Sequence, residues 1–240
     1  MDAFSFLVSA ICVGLIPIRW GAGLEKAPHR RIAVEIGDGL RFIWQTPIHR
    51  ILALLIIPGY ITLAFDALQT PMVIQTAGLS AIAYGVINSA LGVGKLLSAI
   101  VLSGTGRRWV SVSFTVLMFL VTALATALFG ITRDYWVLIA VAFLFGVGNV
   151  STNIANATLS MANAPSGIVG RVMASRQVFI AATTALGMLI FGRLADVAGA
   201  PFSLVSLGLV SGVGVVLVWL LAGKHSLYPT AVQAPGGGSK

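Results

Sequence analysis

Residues 135–157, YWVLIAVAFLFGVGNVSTNIANA, carry no charged side chain. A helix rises about 1.5 Å per residue and the hydrocarbon core of a bilayer is about 30 Å thick, so this one stretch is long enough to cross it. Lipid offers no hydrogen bonds to backbone amides, and a spanning segment must therefore be a helix or part of a closed barrel. The apolar residues run on without alternation, which excludes a barrel strand. Stretches 110–129 and 201–222 read the same way. Apolar runs at 3–18, 51–72, 81–103 and 177–197 bring the expected number to seven. The sequence thus predicts an all-α, integral membrane helical bundle.

Composition agrees. The chain is 58% hydrophobic and 9% charged, against about a quarter charged in soluble domains. A net charge of +8 would suit a nucleic-acid partner, but the basic residues stand at helix ends, so the partner they indicate is the bilayer. The one cysteine, Cys12, lies in an apolar run and can make no disulfide within the chain. Met1–Asp2 offers no basic region of the kind that opens a secretory signal.

Four segments follow. Residues 1–18 form a first transmembrane helix, 19–50 a loop, 51–222 a six-helix unit and 223–240 a flexible tail that ends Gly-rich. Pro58, inside the second span, predicts a kink there. In the long loop, Ile32, Ile36, Leu40, Ile43 and Trp44 recur at helical spacing, with Glu35, Asp38 and Arg41 on another face. This predicts an interfacial helix with its apolar side in the headgroups, ended before Pro47. Gly37 and Gly39 favour the alternative, an ordinary polar linker.

Charge sets the orientation. One set of helix ends holds Arg19, Lys26, Arg30, Arg31, Arg41, Arg50, Arg107, Arg108, Arg171, Arg176, Lys224 and Lys240, twelve of the 15 basic residues. The other set holds Arg133 and Arg193, and Lys95 is inside a helix. Basic loops stay in the cytoplasm, so the first set and the C-terminus are expected there, in a plasma membrane.

Few polar groups lie at membrane depth. Lys95 is about 21 Å along its helix from the outer end. A charge in lipid costs at least about 2.5–3.5 kcal/mol, so Lys95 either contacts an anion in a protein-lined space or snorkels to the headgroups. Asp66 is the only carboxylate inside an apolar run, with Gln69 in the same stretch. It can load and unload a proton, or it is a helix-end aspartate in water. Arg193 and Asp196, three apart, read as an exposed pair. Asn149, Asn153, Asn156 and Ser160 recur at i, i+4, i+7 and i+11, a polar stripe on an apolar helix. Asn149 and Asn153 either line a cavity or bond across to another helix, whereas Asn156 is near enough to the helix end to be solvated. Gly146, Gly148, Gly187, Gly192, Gly208 and Gly212 read as packing positions. No nucleotide loop, catalytic carboxylate pair, nucleophile triad or metal spacing is present, and His29, His49 and His225 stand apart at helix ends. No cofactor, metal or enzymatic activity is expected.

Certain segments look familiar in combination. Asp2–Ala10 is similar to a sixth transmembrane helix. Glu35-Ile-Gly-Asp-Gly-Leu-Arg-Phe-Ile-Trp44, with Pro47 and Arg50, resembles the segment before a seventh helix. Tyr84-Gly85 with Gly92 and Gly94 looks like an eighth. Pro165, Gly170-Arg171-Val172-Met173, Leu186-Gly187 and Gly192-Arg193-Leu194-Ala195-Asp196 look like the loop and eleventh helix. In this order they resemble the C-terminal portion of a major facilitator superfamily transporter, in the branch of drug, macrolide and siderophore exporters. Two departures stand out: Gly106-Arg107-Arg108 lacks the acidic residue common in that loop, and residues 166–169 hold no carboxylate. The resemblance implies alternating access driven by an ion gradient, most often protons in antiport, and export of small amphipathic molecules from the cell's inner membrane. It makes the Asn149–Ser160 helix the tenth, which borders the central cavity. It also implies two six-helix halves around the substrate, so a missing N-terminal half or a partner subunit is expected. The alternative is a truncated or partner-dependent membrane protein with no transport of its own.

Overall fold

The computed structural model describes residues 37, 41–105, 110–165 and 167–223. The helix expected at 3–18, most of the expected interfacial helix and the tail lie outside them. Six helices among the described residues are long and apolar enough to cross a membrane. They are α1 (Pro47–Thr76), α2 (Ala81–Thr105), α3 (Val112–Ile131), α4 (Tyr135–Ala162), α5 (Val169–Ala198) and α6 (Ala200–Gly223). Short connections send successive helices in opposite directions. Pro47, Ala162 and Val169 therefore lie at one end of the bundle, called here the basic end, and Thr76, Tyr135 and Ala198 at the other.

Local chemistry fixes the helix ends. Ser111 accepts a hydrogen bond from the Phe114 amide at 3.1 Å and caps α3. Asp134 accepts from the amides of Trp136 and Val137, both at 3.0 Å, and places its negative charge at the positive end of α4. Between α5 and α6 only Gly199 intervenes. Its φ of +87° lets the chain reverse in one residue, and its amide still bonds to the Ala195 carbonyl at 2.9 Å. Pro201 then opens α6, where a missing amide hydrogen does no harm.

The effect expected at Pro58 shows as a change of winding. The α-helix tightens to a 3₁₀ turn at Ile61–Ala64, resumes at Phe65–Thr70, and widens to a π-turn at Pro71–Thr76. Each proline withholds one amide hydrogen, and the backbone re-pairs around the gap. Thr62 helps by donating its hydroxyl to the Gly59 carbonyl at 2.6 Å.

Several expected boundaries are corrected. Helix α1 starts at Pro47 and ends at Thr76, not 51–72; α4 runs on to Ala162; α5 begins at Val169 rather than 177. Hydropathy measures contact with lipid, and these extra turns carry polar side chains such as His49, Gln75, Ser160 and Arg171. Residues 41–45 are helical, with a bend at Thr46 before Pro47. Ile43, expected among headgroups, is 3% exposed and packs within the protein, while Trp44 is exposed.

Two apolar clusters hold the bundle. Toward the end away from the basic end, Phe65 stacks on Phe145 at 4.2 Å and meets Phe129 edge-on at 4.8 Å. Toward the basic end, Leu55, Ile56, Tyr60, Val116, Phe119, Ile180 and Val215 form the second cluster. Helices α2 and α4 approach most closely where Gly94 lies against the backbone of Phe143, and Gly146 against that of Leu91. Gly148, Gly187 and Gly208 are tight packing positions as expected. Gly192 is not, since a Cβ there would meet nothing, and Gly212 makes only ordinary contact.

Candidate functional site

The polar stripe of α4 marks the site. Asn149 is partly buried, Asn153 is exposed, and Asn156 and Ser160 are buried at 0% and 4% exposure. Asn156 was expected to be solvated at a helix end, and the structure overturns this. The helix continues beyond it, and its carboxamide faces the interior.

The group that Asn156 meets is Arg176, seven residues into α5, or about 10 Å from the start of that helix by its rise. Arg176 is 5% exposed, although its sequence neighbourhood assigned it to a basic loop. Its Nε donates to Asn156 Oδ1 at 2.8 Å. Its Nη2 donates to the Tyr60 hydroxyl at 2.7 Å and to Asn153 Oδ1 at 3.1 Å, with the Asn153 carbonyl at 3.4 Å. The guanidinium also lies over the Tyr60 ring, 5.7 Å from its centroid, where the ring's negative face attracts it. Asn156 in turn donates through Nδ2 to the Leu52 carbonyl at 3.4 Å. The cluster therefore ties α1, α4 and α5 together.

A buried ion loses several kcal/mol of hydration even after relaxation. Charge-assisted hydrogen bonds, about 1.5–3 kcal/mol each, offset much of that. What Arg176 lacks is a counter-charge. Every acceptor it bonds is neutral, and no carboxylate contacts it among the described residues.

His49 adds a second buried group, 2% exposed rather than free at a helix end. Its Nε2 lies 3.2 Å from the Ser160 carbonyl, and a carbonyl only accepts, so Nε2 carries the hydrogen. The Nδ1 lone pair is left without a partner. Beside it lies a cavity of about 10 Å³ lined in part by His49, Ser160 and Arg176. That is the space of roughly one water, which would satisfy Nδ1.

The other expected residues lie elsewhere. Asp66 is exposed on α1 and Lys95 is partly buried on α2. The Lys95 ammonium is within electrostatic reach of the Asp66 carboxylate, so two groups read separately from the sequence share one field. With α1 extended to Thr76, Asp66 lies about 15 Å from the end of its helix, deeper than expected. Gln69 is 6% exposed, and its Oε1 has no partner. Asn153 joins the Arg176 cluster through its own side chain, while Asn149 contributes its carbonyl to Thr152 Oγ1 at 2.8 Å.

Tyr60, His49 and Arg176 were missed. The signal for Arg176 was present: Arg176, Ile180, Thr183 and Gly187 are all buried and recur at i, i+4, i+7 and i+11, the spacing of the α4 stripe.

Six helices long and apolar enough to cross a membrane, three of them joined through a buried polar cluster, make this a helical membrane protein. Among the described residues no group of His, Cys, Asp and Glu is arranged to hold a metal. The chain belongs to the transmembrane secretion effector family of the major facilitator superfamily, whose profile matches residues 1–231. That is a family of membrane transporters, not of enzymes. Comparison with curated proteins gave no match.

Proposed function

We propose that the chain supplies one six-helix half, about residues 51–222, of a proton-coupled exporter of small amphipathic molecules, with residues 1–18 as the last helix of the other half. The observation that carries this reading is the cluster built by Arg176, Tyr60, Asn153 and Asn156. Three helices spend polar side chains on a site inside the membrane, where such groups are costly and mark pathways. In this superfamily the substrate lies between two six-helix units near mid-membrane. Asn149 and Asn153 are then wall residues, and Asp66, coupled to Lys95 and close to Gln69, carries the proton.

The basic end faces the cytoplasm of a bacterial inner membrane. With Arg176 inside the bundle, eleven of the twelve basic residues remain on that side, against Arg133 and Arg193 on the other. Cysteines placed at 107 and 133 in a Cys12→Ser background should label oppositely with an impermeant thiol reagent on intact cells. Equal labelling from outside reverses the assignment. For transport, vesicles holding the chain together with the five remaining helices of the other half should show pH-gradient-driven flux of amphipathic dyes. The chain alone should show none, because alternating access needs two units rocking about one site. Absence of flux in both preparations would favour a membrane protein without transport activity.

A further inference from the structure

The bonds around Arg176 fix the polarity of everything that touches it. A guanidinium donates and never accepts. Asn153 and Asn156 must therefore turn their Oδ1 atoms toward it, and Tyr60 must offer its oxygen lone pair. What each neighbour has left is a donor. Asn156 gives its Nδ2 to the Leu52 carbonyl. The Tyr60 hydroxyl hydrogen and the Asn153 Nδ2 group find no acceptor among the described residues, nor does Nη1 of Arg176. Asn153 is exposed and forms the accessible edge of this donor set, with Arg176 and Tyr60 buried behind it. The site combines a whole positive charge, unspent donors, and no carboxylate.

We propose that Arg176, Tyr60 and Asn153 bind the anionic group (carboxylate, sulfonate or phosphate) of the amphipathic molecule that the transporter carries. This rests on the transporter reading for the occupant's apolar part, and on the hydrogen-bond polarity for its charge. A cation in this site would sit beside the Arg176 charge with no carboxylate to balance either. An anion supplies the missing counter-charge and the missing acceptors together. Neither Asp66 nor Lys95 contacts Arg176 among the described residues, so neither supplies the balance.

The test uses the whole chain purified in dodecyl maltoside, with naphthalene-1-sulfonate as probe and 1-naphthylmethylammonium as its matched cation. Calorimetric titration and thermal unfolding give the readout. The sulfonate should bind saturably and raise Tm, and the ammonium should do neither. Arg176→Gln should weaken sulfonate binding about ten-fold or more, while Ser98→Ala, outside the site, should not. Asn153→Asp is the decisive variant. It places a carboxylate beside the guanidinium, so it should fold with an undiminished Tm and lose the sulfonate. If Arg176→Gln fails to fold, Asn153→Asp carries the test alone. Equal binding of anion and cation, or full sulfonate binding by Asn153→Asp, would overturn the proposal. So would inorganic sulfate binding as tightly as the naphthalene compound, or phosphatidylglycerol holding the site against it. Failure here leaves the transporter reading intact if vesicles still carry cationic dyes under a pH gradient.

Discussion

Two places bring polar groups into the apolar bundle, and they do so differently. At the seam between α2 and α4, Ser98 and Ser151 share a 2.7 Å hydrogen bond beside the close approach of Gly94 and Gly146. Both serines are neutral and buried, and each hydroxyl has the other as partner. Around Arg176, a whole charge is held by neutral groups with donors left over. The seam is closed and joins helices through contact alone. The cluster is open, because its requirements exceed what its neighbours supply. In lipid, where an unmet polar group is not rescued by water, such a surplus persists only where something else meets it.

The seam should be the harder to break. A side chain at Gly146 meets the backbone of Leu91, and backbone cannot swing aside as a side chain would. Gly146→Leu must therefore push α2 away from α4 along its length. Overpacking of this kind costs about 3 kcal/mol or more. The variant should be absent from the folded fraction when membranes are solubilised and sized by gel filtration. A monodisperse Gly146→Leu protein with wild-type Tm would show that the seam does not hold the two helices together.

The cluster should break more selectively. Asn156→Leu removes the acceptor of the Arg176 Nε and leaves a buried charged donor unmet, a loss of about 1.5–3 kcal/mol. The expected result is a lowered Tm with the protein still folded, and weakened binding at the Arg176 site. Asn156→Asp should lose less than Asn156→Leu, since a carboxylate accepts the Nε bond with charge although it no longer donates to the Leu52 carbonyl. If Asn156→Leu melts like the wild type, the guanidinium has found another acceptor.

How much of this was legible depends on what the sequence displays. Apolar runs report lipid contact directly, so the spans at 110–129, 135–157 and 201–222 were readable and their cores stand. The Asn149–Ser160 stripe was readable because carboxamides stand out on an apolar helix. Arg176 was not, because the turns between Val169 and Gln177 hold Gly170, Arg171 and Ser175, and a hydropathy reading stops at the first polar run. Helix formation needs only backbone bonds, and those continue through it. His49 was hidden in the same way by Thr46, Pro47 and Arg50. Lys95 and Asp66 were each visible, but the field they share spans α1 and α2, and no single-helix pattern reveals it.

That pair separates transport from stability. Both groups are at least partly accessible, so Lys95→Ala and Asp66→Asn should lower Tm less than Asn156→Leu does. Their effect should fall on flux in the assembled transporter. A proton carrier gives a rate that rises and falls with pH, and Asp66→Asn should flatten that profile, with Lys95→Ala displacing it. An unchanged profile in Asp66→Asn would remove Asp66 from coupling and leave the Arg176 cluster as the charged site, among the described residues, with a part in transport.

The smallest effect expected is the one that sharpens the contrast most. Hydrogen bonds between transmembrane helices average about 0.6 kcal/mol, because separated helices also find partners for these groups. Ser98→Ala and Ser151→Ala should each cost about that much, and the double variant scarcely more than either, since both remove the same 2.7 Å bond. Removing both partners leaves no unmet group, only a slightly emptier seam between the glycines. Probe binding and flux should be unaffected in all three proteins. The same cycle applied to Asn156 and Arg176 should behave otherwise. Asn156→Leu with Arg176→Leu should recover much of the Tm lost by Asn156→Leu, because the charge that needed an acceptor is gone, while anion binding, only weakened in the single variant, is abolished. Recovery of stability without recovery of function is what a site retained for its ligand should give. If instead the double variant melts lower still, the guanidinium holds α1, α4 and α5 together just as the serines hold α2 and α4, and the difference between the two regions is one of strength alone.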